Sequence, residues 1–169
     1  MKKILKNYLV LLLIAGLIIF ADQITKGIIR SSLAYGEVWS PWDWLTPYAR
    51  IVHWFNTGAA FGLFQGRGMI FTILACVIAI AILFYYPRLS EKEWLLRIAL
   101  GMQFGGAIGN LIDRLTIGHV IDFISVGTFP VFNIADACIT VGVGVMIMSL
   151  WLNEKNEKQA KMYNNLQKK

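Results

Sequence analysis

Charge is what this sequence has least of. Only 15% of its 169 residues are charged, against about 25% in soluble domains. That is too little polar surface to cover a globule in water. The complementary 57% of apolar residues excludes disorder, because chains that stay unfolded are poor in such residues. Cysteine is also scarce. Cys76 and Cys138 each lie in an apolar run, form no C-x-x-C or metal-type spacing, and read as small buried hydrophobes. No internal repeat, low-complexity segment or nucleophilic serine elbow is present. The formal net charge of +6 does not signal nucleic acid, since the basic residues line no single face and sit at the ends of apolar runs. An integral membrane protein is what remains.

What is abundant is long apolar sequence. Four runs qualify as membrane-spanning helices: about 8–29, 69–86, 94–112 and 134–152. Crossing a hydrocarbon core of about 30 Å at 1.5 Å per residue takes roughly 20 residues, and a helix satisfies its own backbone in lipid. Met1-Lys2-Lys3 followed by Leu9–Phe20 has the outline of a cleaved secretory signal, but no A-x-A site follows and apolar residues resume after Lys26. The run is therefore expected to be retained as the first span.

Orientation follows from the bias of Lys and Arg in short loops. Lys2, Lys3, Lys6, Arg88, Lys92, Arg97, Lys155, Lys158, Lys161, Lys168 and Lys169 fall on one face, eleven of the sixteen basic residues. Both termini are expected to be cytoplasmic. Residues 1–152 read as one domain, and 153–169 as a polar basic tail that is solvated or a frayed helix touching anionic headgroups. Segments 30–68 and 114–133 are assigned to the outer face. The first holds Trp39, Trp42, Trp44 and Trp54 with Tyr35 and Tyr48, residues that favour the headgroup layer. Its run Arg50–Phe55 is rich in β-formers and is closed by Asn56-Thr57-Gly58, which predicts a small extracytoplasmic sheet.

Ionisable groups at membrane depth are costly, and each is a functional candidate. Asp22 and Lys26, spaced i, i+4, share a helix face and can pair. Gly105, Gly106 and Gly109 permit close helix approach, while Asn110 and Arg114, again i, i+4, project together. Arg114 keeps its charge in any site, which predicts carboxylates nearby; Asp113 reads as a local ion-pair partner. Asp122, in a β-branched run, and Asp136, at the start of span four, supply the carboxylates. The plainer readings are an exposed loop carboxylate for Asp122 and, for Asp136, the N3 position of a helix capped by Asn133.

Two carboxylates in a low-dielectric site share one proton. One can then act as base on water while the other donates to a carbonyl, as in aspartic proteases. The same pair could serve a proton-coupled transporter, although four spans without an inverted repeat argue against that. Metal hydrolysis through His53 and His119 lacks an H-E-x-x-H helix and is weaker still.

Five segments in order, Asp22-Gln23-x-x-Lys26, Asn56-Thr57-Gly58-Ala59-Ala60-Phe61, Gly109-Asn110-Leu111-Ile112-Asp113-Arg114, Val120-Ile121-Asp122-Phe123 and Phe132-Asn133-Ile134-Ala135-Asp136, resemble the lipoprotein signal peptidase (signal peptidase II) family of bacteria from Lys2 to about Leu152. The resemblance implies a mainly α membrane protein of four transmembrane helices with an extracytoplasmic β-cradle. It implies an aspartic endopeptidase, without metal or other cofactor, that cuts before the diacylglyceryl-modified cysteine of a prolipoprotein. The dyad it implies is Asp122 and Asp136, with Asp22, Lys26, Asn56, Asn110, Arg114 and Asn133 as substrate-binding or supporting residues. Expected partners are prolipoproteins and membrane lipid, with no nucleic acid, for a monomer in the bacterial cytoplasmic membrane. The loop of Gly58, Gly62, Gly66 and Gly68 could move to admit substrate, and glycine there equally suits a tight turn; the run Trp39–Trp44 matches none of these motifs.

Overall fold

The computed structural model describes the backbone of residues 2–58 and 66–166, and within them the side chains of all but residues 2–7, 160 and 163. Ala59, Ala60, Phe61, Gly62, Lys168 and Lys169, and the side chains of Lys2, Lys3 and Lys6, fall outside that description.

Four helices account for the apolar runs: α1 (Lys2–Ser32), α2 (Gly68–Tyr85), α3 (Trp94–Thr116) and α4 (Ile134–Leu166). All four are long and apolar enough to cross a membrane. Their burial is the reverse of a water-soluble bundle. In α1, α2 and α4 only 17% of the most apolar window is buried, whereas α3, the least apolar at a mean hydropathy of 1.3, is 61% buried. Leu13, Leu17, Phe20, Ile73, Val77 and Ile147 all face outward. An apolar exterior needs no cover when the surrounding solvent is lipid. The protein is a multi-pass membrane protein with α3 at its centre, packed on α1, α2 and α4.

Two ends of the bundle differ in chemistry. Leu11 and Ala15 of α1, Ala79 and Ile82 of α2, Tyr86 and Leu89 of the connecting turn, and Leu96, Leu100 and Phe104 of α3 form an apolar core beside the short α2–α3 connection. The other end carries a three-stranded antiparallel sheet in the order β1 (Val38–Trp39), β2 (Ala49–Asn56), β3 (Val120–Val126). Strand β2 belongs to the α1–α2 connection and β3 to the α3–α4 connection, so their pairing ties both to one end.

That pairing contains a bulge. Ala49, Arg50 and Ile51 oppose Val126, Ser125 and Ile124, then Trp54 and Asn56 oppose Asp122 and Val120. Val52 and His53 thus stand against Phe123 alone. Directly opposed residues share a face and alternate along the strand. The extra residue therefore brings Asn56 onto the face of Asp122, diagonally adjacent; an unbroken register would turn it to the other.

The glycines of α3 permit the close approach expected of them. A Cβ on Gly106 would lie 2.5 Å from the Ala135 carbonyl oxygen and 2.7 Å from Ile139, and one on Gly109 would lie 2.8 Å from the Asp22 carboxylate. Gly106→Ala is expected to lower stability by about 1–3 kcal/mol, the usual toll of overpacking. Gly144→Ala, where nothing lies within 4 Å, should be neutral or slightly stabilising in a helix. Thermal unfolding in detergent compares the two; equal midpoints would mean that α3 and α4 do not depend on that contact.

Some boundaries differ from the sequence reading. Helix α3 continues to Thr116, so Arg114 stands on its last turn rather than in the following segment. Helix α4 runs unbroken through the polar tail to Leu166, about 50 Å at 1.5 Å per residue. Cys76 and Cys138 are only half-buried, because lipid rather than protein covers much of α2 and α4. Trp39, Trp42, Trp44 and Tyr48 are exposed, and the Trp42 and Trp44 rings stack at 5.9 Å.

Candidate active site

Between the sheet and the bundle lies a polar network that begins at Lys26, only 2% exposed. Its ammonium has three donors and no acceptor, and each donor has a partner. Nζ lies 2.7 Å from Asp22 Oδ2 and 2.9 Å from Asp113 Oδ2, and donates to Asn110 Oδ1 at 2.9 Å. The remaining oxygens of the two carboxylates are also used. The Ala135 N–H donates to Asp22 Oδ1 at 3.0 Å, placing an anion at the positive end of α4. Asp113 accepts from the Ile121 N–H at 3.1 Å and from Gln23 Nε2 at 3.0 Å. One cation thereby joins α1, α3, β3 and the start of α4.

Three carboxamides hold Asp122 and Asp136, and two of them, Asn110 and Asn133, connect the aspartates to Lys26. Asn110 must face Lys26 with its oxygen, which turns its Nδ2 to Asp136 Oδ1 at 2.7 Å. Asn56 accepts the Gly58 N–H on Oδ1, leaving Nδ2 to donate to Asp122 Oδ2 at 2.8 Å. Asn133 sits between the two aspartates. Its Nδ2 donates to Asp122 Oδ1 at 2.7 Å and to Asn110 Oδ1 at 3.1 Å. Its Oδ1 accepts the Asp136 N–H at 2.9 Å, while its own N–H donates to Asp136 Oδ2 at 3.3 Å. The last two bonds are a reciprocal cap at the first turn of α4. The capping role of Asp136 is therefore real, and it coexists with a place in the network.

Beside the aspartates is a cavity of about 560 Å³. Phe71, Leu74 and Ile78 of α2 form one wall, Ala137, Ile139 and Val141 of α4 the other, with Ala107 of α3 beneath and Phe129–Phe132 at one end. Its polar lining is concentrated in Asn56, Asn110, Arg114, Asp136 and Thr140. Asp136 faces the cavity; Asp122 stands behind, 1% exposed. Burial, reinforced by the charge of Asp136, raises the Asp122 carboxyl to about 7 against the opposing hydrogen bonds from Asn56 and Asn133. Arg114 lies over the Phe71 ring, 5.8 Å from its centroid, in the field of Asp136, Asp122 and Asp113.

Every residue assigned to the dyad or its support thus falls in one region: Asp22, Lys26, Asn110, Asn133, Asp122 and Asp136 in the network, Asn56 bound to Asp122, and Arg114 on the cavity wall. Two readings are corrected. Asp122 is not an exposed loop carboxylate, because β3 is covered by α1 and α3. Asp113 is not a local partner for Arg114; it pairs with Lys26, which lies on another helix. Gln23 was missed as a member, although it stands beside Asp22 in the motif and bonds Asp113 and the Gly109 carbonyl. The two histidines lie away from the cavity lining. His53 is buried, with Nδ1 2.8 Å from the Leu33 carbonyl oxygen, and the His119 ring packs on Phe55 at 4.1 Å.

Four span-capable helices that hold buried carboxylates at the sheet end define a class, the multi-pass membrane proteins. Two solved bacterial membrane enzymes, determined by the in meso method at 2.3 and 1.9 Å resolution, superpose with TM-scores of 0.79 and 0.73. Both are 33% identical to this chain; the first match covers 86% of this chain and 90% of the other, the second 83% and 91%. Residues 14–152 match the family described as Signal peptidase (SPase) II. The lipoprotein signal peptidase of Shouchella clausii (strain KSM-K16) is 38% identical over 152 residues, 88% of this chain and 97% of that protein. That of Staphylococcus aureus (strain JH9) is 33% identical, covering 88% and 91%. The chain belongs to the signal peptidase II family.

Proposed function

We propose that the protein is an aspartic endopeptidase of the bacterial cytoplasmic membrane, removing signal peptides from prolipoproteins by cutting before the diacylglyceryl-modified cysteine. One observation carries this reading. Asp122 and Asp136 come from different elements and are bridged by Asn133, with Asp136 at the polar end of an otherwise apolar cavity and Asp122 buried behind it. The cavity between α2 and α4 suits the apolar signal segment, and the substrate's lipid chains remain in the bilayer. Spans 8–29, 69–86, 94–112 and 134–152 form one peptidase domain with the tail 153–169 in the cytoplasm, and the Lys and Arg bias supports an extracytoplasmic site.

The chemistry follows from the unlike surroundings of the two aspartates. Below pH about 7 Asp122 keeps its proton, and Asp136, which faces the cavity, takes the part of the base. Asp136 takes a proton from water as the water oxygen bonds to the scissile carbon, and Asp122 gives its proton to the carbonyl oxygen. As the tetrahedral intermediate collapses, the C–N bond breaks, the nitrogen takes the proton from Asp136, and a hydroxyl proton returns to Asp122. Asn56, Asn110 and Asn133 keep the carboxylates aimed throughout.

A purified chain in detergent is expected to cleave a diacylglyceryl-modified precursor. Proton-coupled flux in proteoliposomes without any cleavage would reverse the reading in favour of a transporter. The rate should fall as pH rises through about 7, where Asp122 loses the proton that it must donate. The Asn56 hydrogen bond favours the ionised form, so Asn56→Ala should move this alkaline limb upward. A pH profile of kcat/KM for both enzymes checks the sign, and a limb that moves downward or stays in place counts against the donor role.

A further inference from the structure

Hydrolysis, as just proposed, converts a neutral peptide carbonyl into a carboxylic acid while the other fragment gains an amine. The acid loses its proton to solvent, so a charge that the substrate lacked exists beside the dyad. We propose that Arg114 is a binding site for this newly formed C-terminal carboxylate, and that the enzyme thereby retains its signal-peptide product. The inference rests on the peptidase reading.

Among the described residues Arg114 is the one basic residue lining the cavity. The other cation of the region, Lys26, is 2% exposed and holds Asp22, Asp113 and Asn110 with its three donors, so it has none left for a ligand. Among the described residues Arg114 makes no ion pair within 4.0 Å, and its guanidinium rests over the apolar ring of Phe71. An arginine is always charged and presents a planar fork that fits a carboxylate with two parallel bonds. Binding an anion there breaks no existing pair.

Location ties this cation to the cleaved bond. Arg114 stands one helical turn beyond Asn110, whose Nδ2 holds Asp136, on the face that looks into the same cavity. An anion formed beside the dyad is repelled by its charge, and Arg114, which lines the same cavity as Asp136, is the cation that offsets this. Because the intact substrate is neutral at this carbonyl, the arginine's full charge is felt only after cleavage. Turnover then depends on release of the signal peptide as well as on the chemical step.

The test uses the full chain in detergent micelles and a synthetic signal peptide ending at the residue before the cysteine, made as free acid and as carboxamide. By calorimetry at pH 7 the acid is expected to bind about tenfold tighter than the amide, the worth of one charge-assisted bond. In Arg114→Gln the two should bind within about twofold of each other. Equal binding of acid and amide to the unmodified chain overturns the inference, and needs no variant to fold. So does an acid preference that survives Arg114→Gln. Cleavage of a lipidated precursor by the same preparation separates the two levels. Cleavage without acid preference overturns this site alone, whereas no cleavage overturns the peptidase reading and this site with it.

Discussion

Asp122→Asn and Asp136→Asn are each expected to lower precursor cleavage by roughly 10⁴-fold or more, the scale on which members of a catalytic unit fail. The double variant should be little worse than either alone, because the second residue has nothing to act on once its partner cannot exchange a proton. Stability should move much less. Both oxygens of Asp122 accept from amide N–H groups, those of Asn133 and Asn56, so an asparagine turns one NH₂ toward another donor. Asp136 has the same difficulty between Asn110 and the Asn133 N–H. One mismatched bond costs about 1–3 kcal/mol, offset at position 122 by removal of a carboxyl that burial disfavours as an anion. Cleavage of a lipidated precursor in membranes, together with unfolding in detergent, separates the two effects. Wild-type cleavage by either variant would remove that aspartate from the mechanism.

The second large effect is structural. Lys26→Met leaves Asp22 and Asp113, 0% and 4% exposed, as buried carboxylates without their cation. Breaking a buried ion pair from one side costs about 3–5 kcal/mol. It also frees the Asn110 amide, whose orientation Lys26 imposes, so cleavage should fall with stability. Replacing all three charges, as Asp22→Asn, Lys26→Met and Asp113→Asn together, should recover most of the unfolding temperature, because neutral groups of similar size do not require a counter-ion. Cleavage need not return with it, since methionine cannot orient Asn110. A Lys26→Met protein that unfolds with the wild type would show that the carboxylates find another partner.

Much of this protein could be read before folding. Apolar runs of about twenty residues are a matter of composition, and helix geometry turns i, i+4 spacing into a shared face; the Asp22–Lys26 pair and the common cavity face of Asn110 and Arg114 follow from that alone. The same regularity exposed Asn133 and Asp136 as a helix cap. Less legible were residues whose meaning depends on a neighbour far along the chain. Asp113 stands beside Arg114 in sequence but answers Lys26 on α1. Gln23, which points to α3, carries no local mark of doing so.

Asn56 shows the division most sharply. Its strand is legible from β-branched and aromatic residues, and the turn after it from Asn-Thr-Gly. Which face it occupies depends on a single unpaired residue near His53, and alternation along a strand makes that choice absolute. Asn133 is similar: the cap is local, whereas its hold on Asp122 arises only because β3 returns past the start of α4. By itself the sequence determined the four spans, the small sheet and the kinds of residue in the site, since these follow from hydropathy and backbone periodicity over a few turns. Tertiary structure alone decided that Asp122 and Asp136 share Asn133, that Lys26 anchors both sides, and that Arg114 faces a cavity. Those depend on the close approach allowed by Gly106 and Gly109 and on one bulge, and neither short-range spacing nor composition contains that information.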